Sequence, residues 1–465
     1  MEVGGSGMFC DGLGRLRTSA LPLALATIMI AGTYVAASSA TAGASMSAST
    51  TSGVWPGVGK ICEPGSGGTS SVRGVGKKTI NIAVFNDASN TIVPGLEAEF
   101  PEQARAFADW CNAAGGINGR KIVIDNRDAA LFNAAQQATA ACQSDFMAVG
   151  GGMALDQPSV PIREKCGLGQ ITGYVVSNAS DLATDQVDPS GINTSTAPSG
   201  WFRVLAQAYP KAVKKAGMGA EDSPSILQSE TKYEFGAEAA GWKVVDFPEP
   251  PTTVENWAPY VEEYQQKGAQ ALWPADSGNF TPFAQAMTTA GYHPAFIALG
   301  VQFANTQTQQ AVAANPSLPP VYVETSWWPL PQASQNPSTE ELVTTMHKYA
   351  KGDTIDFDDE EGAESWLLWA RSASACGASL TVTCVLNHAA ATKNWDAGGI
   401  EAPIAHLTLS NENPQPSPCF AMLRLTAKGI FYDKALTHPT QSIWNCNPKN
   451  VVQLTAAQQA QINSL

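Results

Sequence analysis

The stretch "WCNAAGGINGRKIVI" (residues 110–124) sets two adjacent glycines and an Asn-Gly pair between a helix-like run and an apolar run. Gly115 fits the left-handed residue that closes a helix, because a residue without Cβ adopts positive φ freely. Asn118-Gly119 suits a two-residue reversal into the next strand. The stretch therefore reads as a helix, a tight turn and a strand, and its glycines are explained by backbone geometry without a ligand.

The same alternation extends outward. Upstream, "TINIAVF" (79–85) is an apolar run of buried-strand type, and "GLEAEFPEQARAFADWCNAAG" has apolar residues at helical spacing. Downstream, "NAAQQATAACQSD" predicts a helix, "FMAVGGG" a strand, "PSVPIREKCGL" a short helix and "QITGYVV" a strand. A second series starts near Ser199: helix "GWFRVLAQAYPKAVKKAG", strand "SPSILQS", helix "KYEFGAEAAG", strand "WKVVDFP", helix "WAPYVEEYQQKGA", strand "QALWPAD", helix "TPFAQAMTTAG" and strand "PAFIALGV". Strands alternating with helices of this length predict an α/β protein with two doubly wound parallel sheets. The remainder, from "PPVYVETSWWP" onward, holds one strong helix, "EEGAESWLLWARSASACGA", and strands in "CFAMLRLTAKGIFYD". Those pieces are too few for a third domain and are expected to complete the first two.

With 465 residues, 44% hydrophobic and 15% charged, the chain is long enough for two cores. The formal net charge of -14 and the absence of clustered Lys and Arg argue against a nucleic-acid partner. Arg15 and Arg17 precede an apolar stretch from Ala20 to Ala37, and "SSATAGASMSAST" follows. This is the pattern of an export signal over residues 1–42, cleaved after Ala42; an uncleaved anchor is the alternative. Residues 43–78, rich in Ser, Thr and Gly, are expected to form a tether. Eight cysteines lie beyond the signal, an even number that reads as disulfides in an exported chain. Short loops favour Cys376 with Cys384 and Cys419 with Cys446, leaving Cys62, Cys111, Cys142 and Cys166 to pair among themselves. No Cys or His spacing suits a metal.

"FADWCNAAGGINGRKIVIDNRDAA" (107–130), preceded by "INIAVF" and followed by "FMAVGGG" and "PSVPI", resembles the periplasmic binding proteins of the branched-chain amino acid type. These are solute receptors of ABC transporters with the type I two-lobed fold. The resemblance covers about residues 79–430 and implies two lobes joined by a three-strand hinge, with ligand in the cleft between them. It places lobe I at 79–198 plus 322–405, lobe II at 199–321 plus 406–450, and a tail at 451–465. An ABC permease is the implied partner, an exported monomer the implied form, and a small molecule the implied ligand.

In amino-acid-binding members, the loop after the third strand offers a Ser hydroxyl and backbone amides to the ligand carboxylate, and an acidic residue of lobe II holds the ammonium. Here those loops read "GGGMALDQ" and "IALGVQF", without the hydroxyl and without the acid. A charge left unpaired in a dry cleft is costly, so the sequence favours an apolar or aromatic organic acid over a standard amino acid. A branched-chain amino acid receptor that uses Asp276 for the ammonium is the alternative, and a sensing receptor is another. The residues expected to line the cleft are Asn86, Ser89, Met153, Ala154, Asn178, Tyr233, Asp276 and Trp366. Tyr233 and Trp366 would stack, Asn178 would donate a hydrogen bond, and Asp276 would take a cation or hydroxyl.

"DFDDEEGAE" (356–364) lacks calcium-loop spacing and reads as a solvated acidic helix start. Dinucleotide, phosphate-loop, serine-hydrolase and zinc-protease signatures fail. No enzyme activity and no cofactor are expected.

Overall fold

The computed structural model describes residues 52–68, 70–191, 193–274, 279–412 and 414–465. The signal segment, the start of the tether and Asp276 lie outside the described residues. Among those described, no helix is long and apolar enough to cross a membrane.

The body opens with a small hairpin of β1 (Val54–Trp55) and β2 (Gly59–Lys60). This part of the expected tether is packed. Trp55 is fully buried, donates its indole N–H to Ser338 Oγ at 2.7 Å, and meets the Trp110 ring edge-on at 5.1 Å. Cys62 is bonded to Cys111. Low complexity misled here because one Trp and one Cys suffice to anchor a Gly-rich segment.

The first sheet has the order β4-β3-β5-β6-β7, all parallel: β3 (Thr79–Asn86), β4 (Lys121–Asp128), β5 (Met147–Val149), β6 (Gln170–Ile171) and β7 (Gln186–Val187). Between these strands run α1 (Glu99–Ala113), α2 (Ala134–Ser144), α3 (Val160–Cys166) and α4 (Asn178–Asp181). Helix α1 stops where the glycines require. Gly115 and Gly116 take φ of 115° and 78°, and Ile117 and Arg120 exchange backbone hydrogen bonds across Asn118-Gly119.

The chain then enters the second sheet. After β8 (Thr196–Pro198) and α5 (Gly200–Ala208) come β9 (Ala216–Met218), α6 (Pro224–Ala239), β10 (Val244–Asp246), α7 (Ala258–Gln266), β11 (Ala271–Trp273), α8 (Phe280–Ala290), β12 (Phe296–Leu299), α9 (Thr306–Ala314) and β13 (Val321–Thr325). It returns to the first core through α10 (Pro337–Tyr349), α11 (Phe357–Ala375), α12 (Val382–Ala390), β14 (Lys393–Trp395) and β15 (Ile404–His406). It then re-enters the second sheet with β16 (Cys419–Thr426), β17 (Gly429–Tyr432), α13 (Lys434–Thr437) and β18 (Asn445–Cys446). The second sheet runs β10-β9-β11-β12-β13-β16-β17, with β16 antiparallel to β13 and β18 paired to β16.

Several expectations shift. "SPSILQS" is the first part of α6 and not a strand: Pro224 occupies the first turn, where its missing N–H costs nothing, and the strand is β9. The expected helix at 200–217 ends at Ala208, before Pro210. Strand β13 belongs to the second sheet, whereas 404–409 pack on the first core. The expected tail forms β19 (Val451–Gln453), paired to β8, and α14 (Ala456–Asn463), packed on α6. Disulfides join Cys376 to Cys384 and Cys419 to Cys446; the remaining four pair as Cys62–Cys111 and Cys142–Cys166.

The triple glycine after β5 serves packing. A Cβ on Gly150 would lie 2.5 Å from the Trp366 ring, one on Gly151 2.3 Å from the Phe85 carbonyl oxygen, and one on Gly152 2.2 Å from the Tyr174 ring.

Candidate functional site

A cavity of about 600 Å³ lies between the two sheets. Its walls are the loops at the carboxyl ends of the parallel strands, where open α/β sheets bind ligands. From the first sheet come residues 92–97 after β3, Leu131 after β4, Ala154 after β5 and Tyr174 to Val176 after β6. From the second come Glu221 after β9, Thr252 after β10, Val301 and Gln302 after β12, and Trp201, Lys232 and Tyr233 from α5 and α6.

Of the seven expected residues that are described, Ala154 and Tyr233 line this cavity. Asn86 is buried, and its amide donates to Asn126 Oδ1 at 2.5 Å. Ser89 gives its backbone N–H to Asp128 and does not line the cavity. Met153 and Trp366 belong to the cores on opposite faces of the first sheet. Asn178 acts as a bridge: its N–H meets Gln228 Oε1 of α6 at 2.8 Å, and its side-chain amide meets Asn463 of α14 at 2.7 Å.

Backbone amides of the loops after β4, β5 and β6 are taken by the chain's own carboxylates. Asp87 is buried and accepts the N–H groups of Leu131 at 2.6 Å and Ala154 at 2.9 Å. Burial, opposed by those hydrogen bonds, pushes its carboxyl up to about 6. Asp156 accepts from Val176 at 3.0 Å and Ser177 at 3.1 Å.

The cavity is otherwise acidic. Among the described residues, nine carboxyl side chains line it, against one cation, Lys232, whose ammonium is already paired with Asp181 at 2.6 Å. In the first lobe, Glu97 accepts from the Tyr174 hydroxyl, and its other carboxyl oxygen has no hydrogen-bond partner. Asp358 and Glu361 come from the first turns of α11. The expected capping chemistry is present: Asp356 and Asp359 form a reciprocal capping box. Solvation is not, because α11 is buried on all sides from Phe357 to Ala370. In the second lobe, the loop after β12 lacks an acid, yet Glu324 of β13 accepts the Val301 N–H. An acid for a ligand cation is therefore at hand in lobe II, contrary to the reading of that loop alone. Glu401 and Glu364 share a carboxyl–carboxyl hydrogen bond, and Trp327 donates its indole N–H to Glu364 at 2.9 Å.

Burial raises these acids. Glu324 is pushed up to about 8 and Glu99 to about 7; burial and then Asp356 lift Asp358 well above the carboxylate range; burial and then Glu364 do so for Glu361. Each holds its proton to a higher pH folded than unfolded. Between about pH 4 and 8 the folded state therefore binds more protons, and stability falls as pH rises. The ligand-free protein is expected to melt at a higher temperature at pH 5 than at pH 8. Glu324→Gln should raise stability at pH 8 by a few kcal/mol, on the order of its shift, and change stability at pH 5 far less. A wild-type melting temperature that climbs from pH 5 to pH 8 would contradict these assignments.

Sequence reasoning missed Glu97, Glu324, Asp358, Glu361 and Glu401. A signal existed for one part: Asp358, Glu361 and Ser365 recur at helical spacing on α11, as a helix face turned to one place requires.

Known structures share the fold. A fatty acid ABC transporter substrate-binding protein from Thermomonospora curvata aligns over 82% of this chain and 96% of its own, with 15% identity and a TM-score of 0.63. The isoleucine complex of a branched-chain amino acid transporter substrate-binding protein from Streptococcus pneumoniae aligns over 77% and 100%, with 15% identity and a TM-score of 0.61. A solute-binding protein of an ABC transporter from R. palustris, in complex with benzoate, aligns over 76% and 95%, with 14% identity and a TM-score of 0.60. No curated protein sequence matches significantly. Residues 79–429, well over half of the chain, match the family model described as periplasmic binding protein, and the chain belongs to that family.

Proposed function

We propose that this chain is the exported solute-binding component of an ABC transporter, capturing a small organic molecule between its lobes and presenting it to a membrane permease. The observation that carries this reading is a cavity walled by strand-end loops of both sheets. A solute there contacts both lobes and stabilises their closed arrangement by differential binding. The role is binding and not catalysis, as is general in the family.

The ligands of the neighbours named above, a fatty acid, benzoate and isoleucine, each carry a carboxylate. In this chain Asp87 and Asp156 hold backbone amides of Leu131, Ala154, Val176 and Ser177 at the edge of the cavity, and the lining itself is acidic. The organic acid favoured by the sequence therefore gives way to a ligand without net negative charge.

A thermal-shift screen of amino acids, aromatic acids, alcohols and amines tests this. A compound at 100 times its dissociation constant adds about 2.7 kcal/mol. The shift is expected to vanish in Ser229→Trp, because Ser229 of α6 lines the cavity and an indole there intrudes into it. No shift from any class, or a shift that survives Ser229→Trp, would overturn the reading.

A further inference from the structure

We infer that the ligand is an organic ammonium or guanidinium whose positive group sits against Glu97, Asp358 and Glu361, with its apolar body toward Trp201 and Tyr233. This inference rests on the interlobe cavity being the solute site.

Three observations carry it independently of the count of acids. First, Asp358 and Glu361 are 8% and 4% exposed, line the cavity, and make no hydrogen bond or ion pair through their carboxyl groups among the described residues. Glu97, 5% exposed, keeps one carboxyl oxygen without a partner. Buried carboxylates require a cation or a proton, and Lys232, the one lysine of the lining among the described residues, is committed to Asp181. Second, the three carboxyls reach the same cavity from two separate segments, since Glu97 precedes α1 and Asp358 and Glu361 open α11. Third, the opposite wall offers an aromatic surface. Trp201 lines the cavity with its indole N–H unpartnered, and its ring lies 6.1 Å from that of Tyr233. Aromatic faces complement organic cations as well as apolar bodies.

A cavity of about 600 Å³ suits a molecule of this kind, within the ordinary range for small-molecule sites. A bare metal ion would fill little of it, although Glu99, Asp356 and Asp358 place oxygens within 4.8 Å of one another. In the empty cavity, protons neutralise the acids. An arriving cation replaces them, the carboxyls ionise, and the protons leave to solvent. Affinity therefore rises with pH, and the heat of binding depends on the buffer's ionisation enthalpy.

The test is calorimetric titration of the whole protein with phenethylammonium, agmatine and choline as cations, 2-phenylethanol as the neutral analogue and 3-phenylpropionate as the anion, at pH 5.5 and pH 8. The expected result is binding by at least one cation, tighter at pH 8, with proton release, and no binding by the anion. Asp358→Asn with Glu361→Gln should weaken the cation roughly 100-fold and raise the pH 8 melting temperature, which shows that the variant is folded. Binding of 3-phenylpropionate or 2-phenylethanol in preference to every cation would overturn the charge assignment and leave the receptor reading standing. Calcium chloride alone saturating the site and abolishing cation binding would assign a metal instead. No binding by compounds of any charge would overturn both readings.

Discussion

Trp366→Ala is expected to lower stability by about 3–5 kcal/mol, the range for truncating a large buried aromatic, while leaving affinity for a cleft ligand unchanged. Trp366 is fully buried, and its ring sits 5.4 Å from both Phe107 and Trp369. Gly150 has no side chain where the indole lies. The substitution leaves a void bounded by α1, α11 and the end of β5, elements too firmly packed to collapse into it. Denaturant unfolding gives the stability and titration gives the affinity. Wild-type stability with lost binding would instead make Trp366 a stacking residue of the site, as its position in the sequence suggested.

The second large effect concerns the amino-terminal hairpin. Replacing Cys62 and Cys111 together by Ser and Ala should destabilise the protein by about 4 kcal/mol, because the bond closes a loop with a sequence separation of 49 and restricts the unfolded chain accordingly. The loss should fall on the first lobe, where Trp55, Trp110 and Phe107 form one aromatic group beside the bond. Limited proteolysis checks this: cleavage within 52–62 should appear in the variant and be absent in the wild type. Equal resistance in both proteins would mean that burial of Trp55 holds the segment unaided.

The architecture was legible because its signals are local. Gly115, Gly116 and Asn118-Gly119 turn α1 into β4 for reasons of backbone conformation alone, and the alternating runs around them repeat the same unit. The cleft was less legible. Asn86 stands at a strand end, as a ligand contact would, but its amide turns to Asn126 of the neighbouring strand. Met153 follows the glycines as expected, yet its side chain enters the core on the α2 face of the sheet. Tyr233, expected to stack, does line the cavity. The acids were hidden for two reasons. Glu97, Glu324 and Glu401 approach from three distant segments with no shared motif. "DFDDEEGAE" does cap a helix, but whether a cap is solvated depends on what packs over it, which no local pattern records.

The claim that a solute is held between the lobes is tested most directly by hydrogen–deuterium exchange, with the organic ammonium that gives the largest thermal shift. Peptides covering 92–97 and 354–361 of the first lobe and 221–233 and 301–310 of the second line opposite walls of the cavity. The account expects exchange to slow in all four together at saturating ligand, and the slowing to be lost in Ser229→Trp. Slowing confined to one lobe, or elsewhere in the chain, would contradict it.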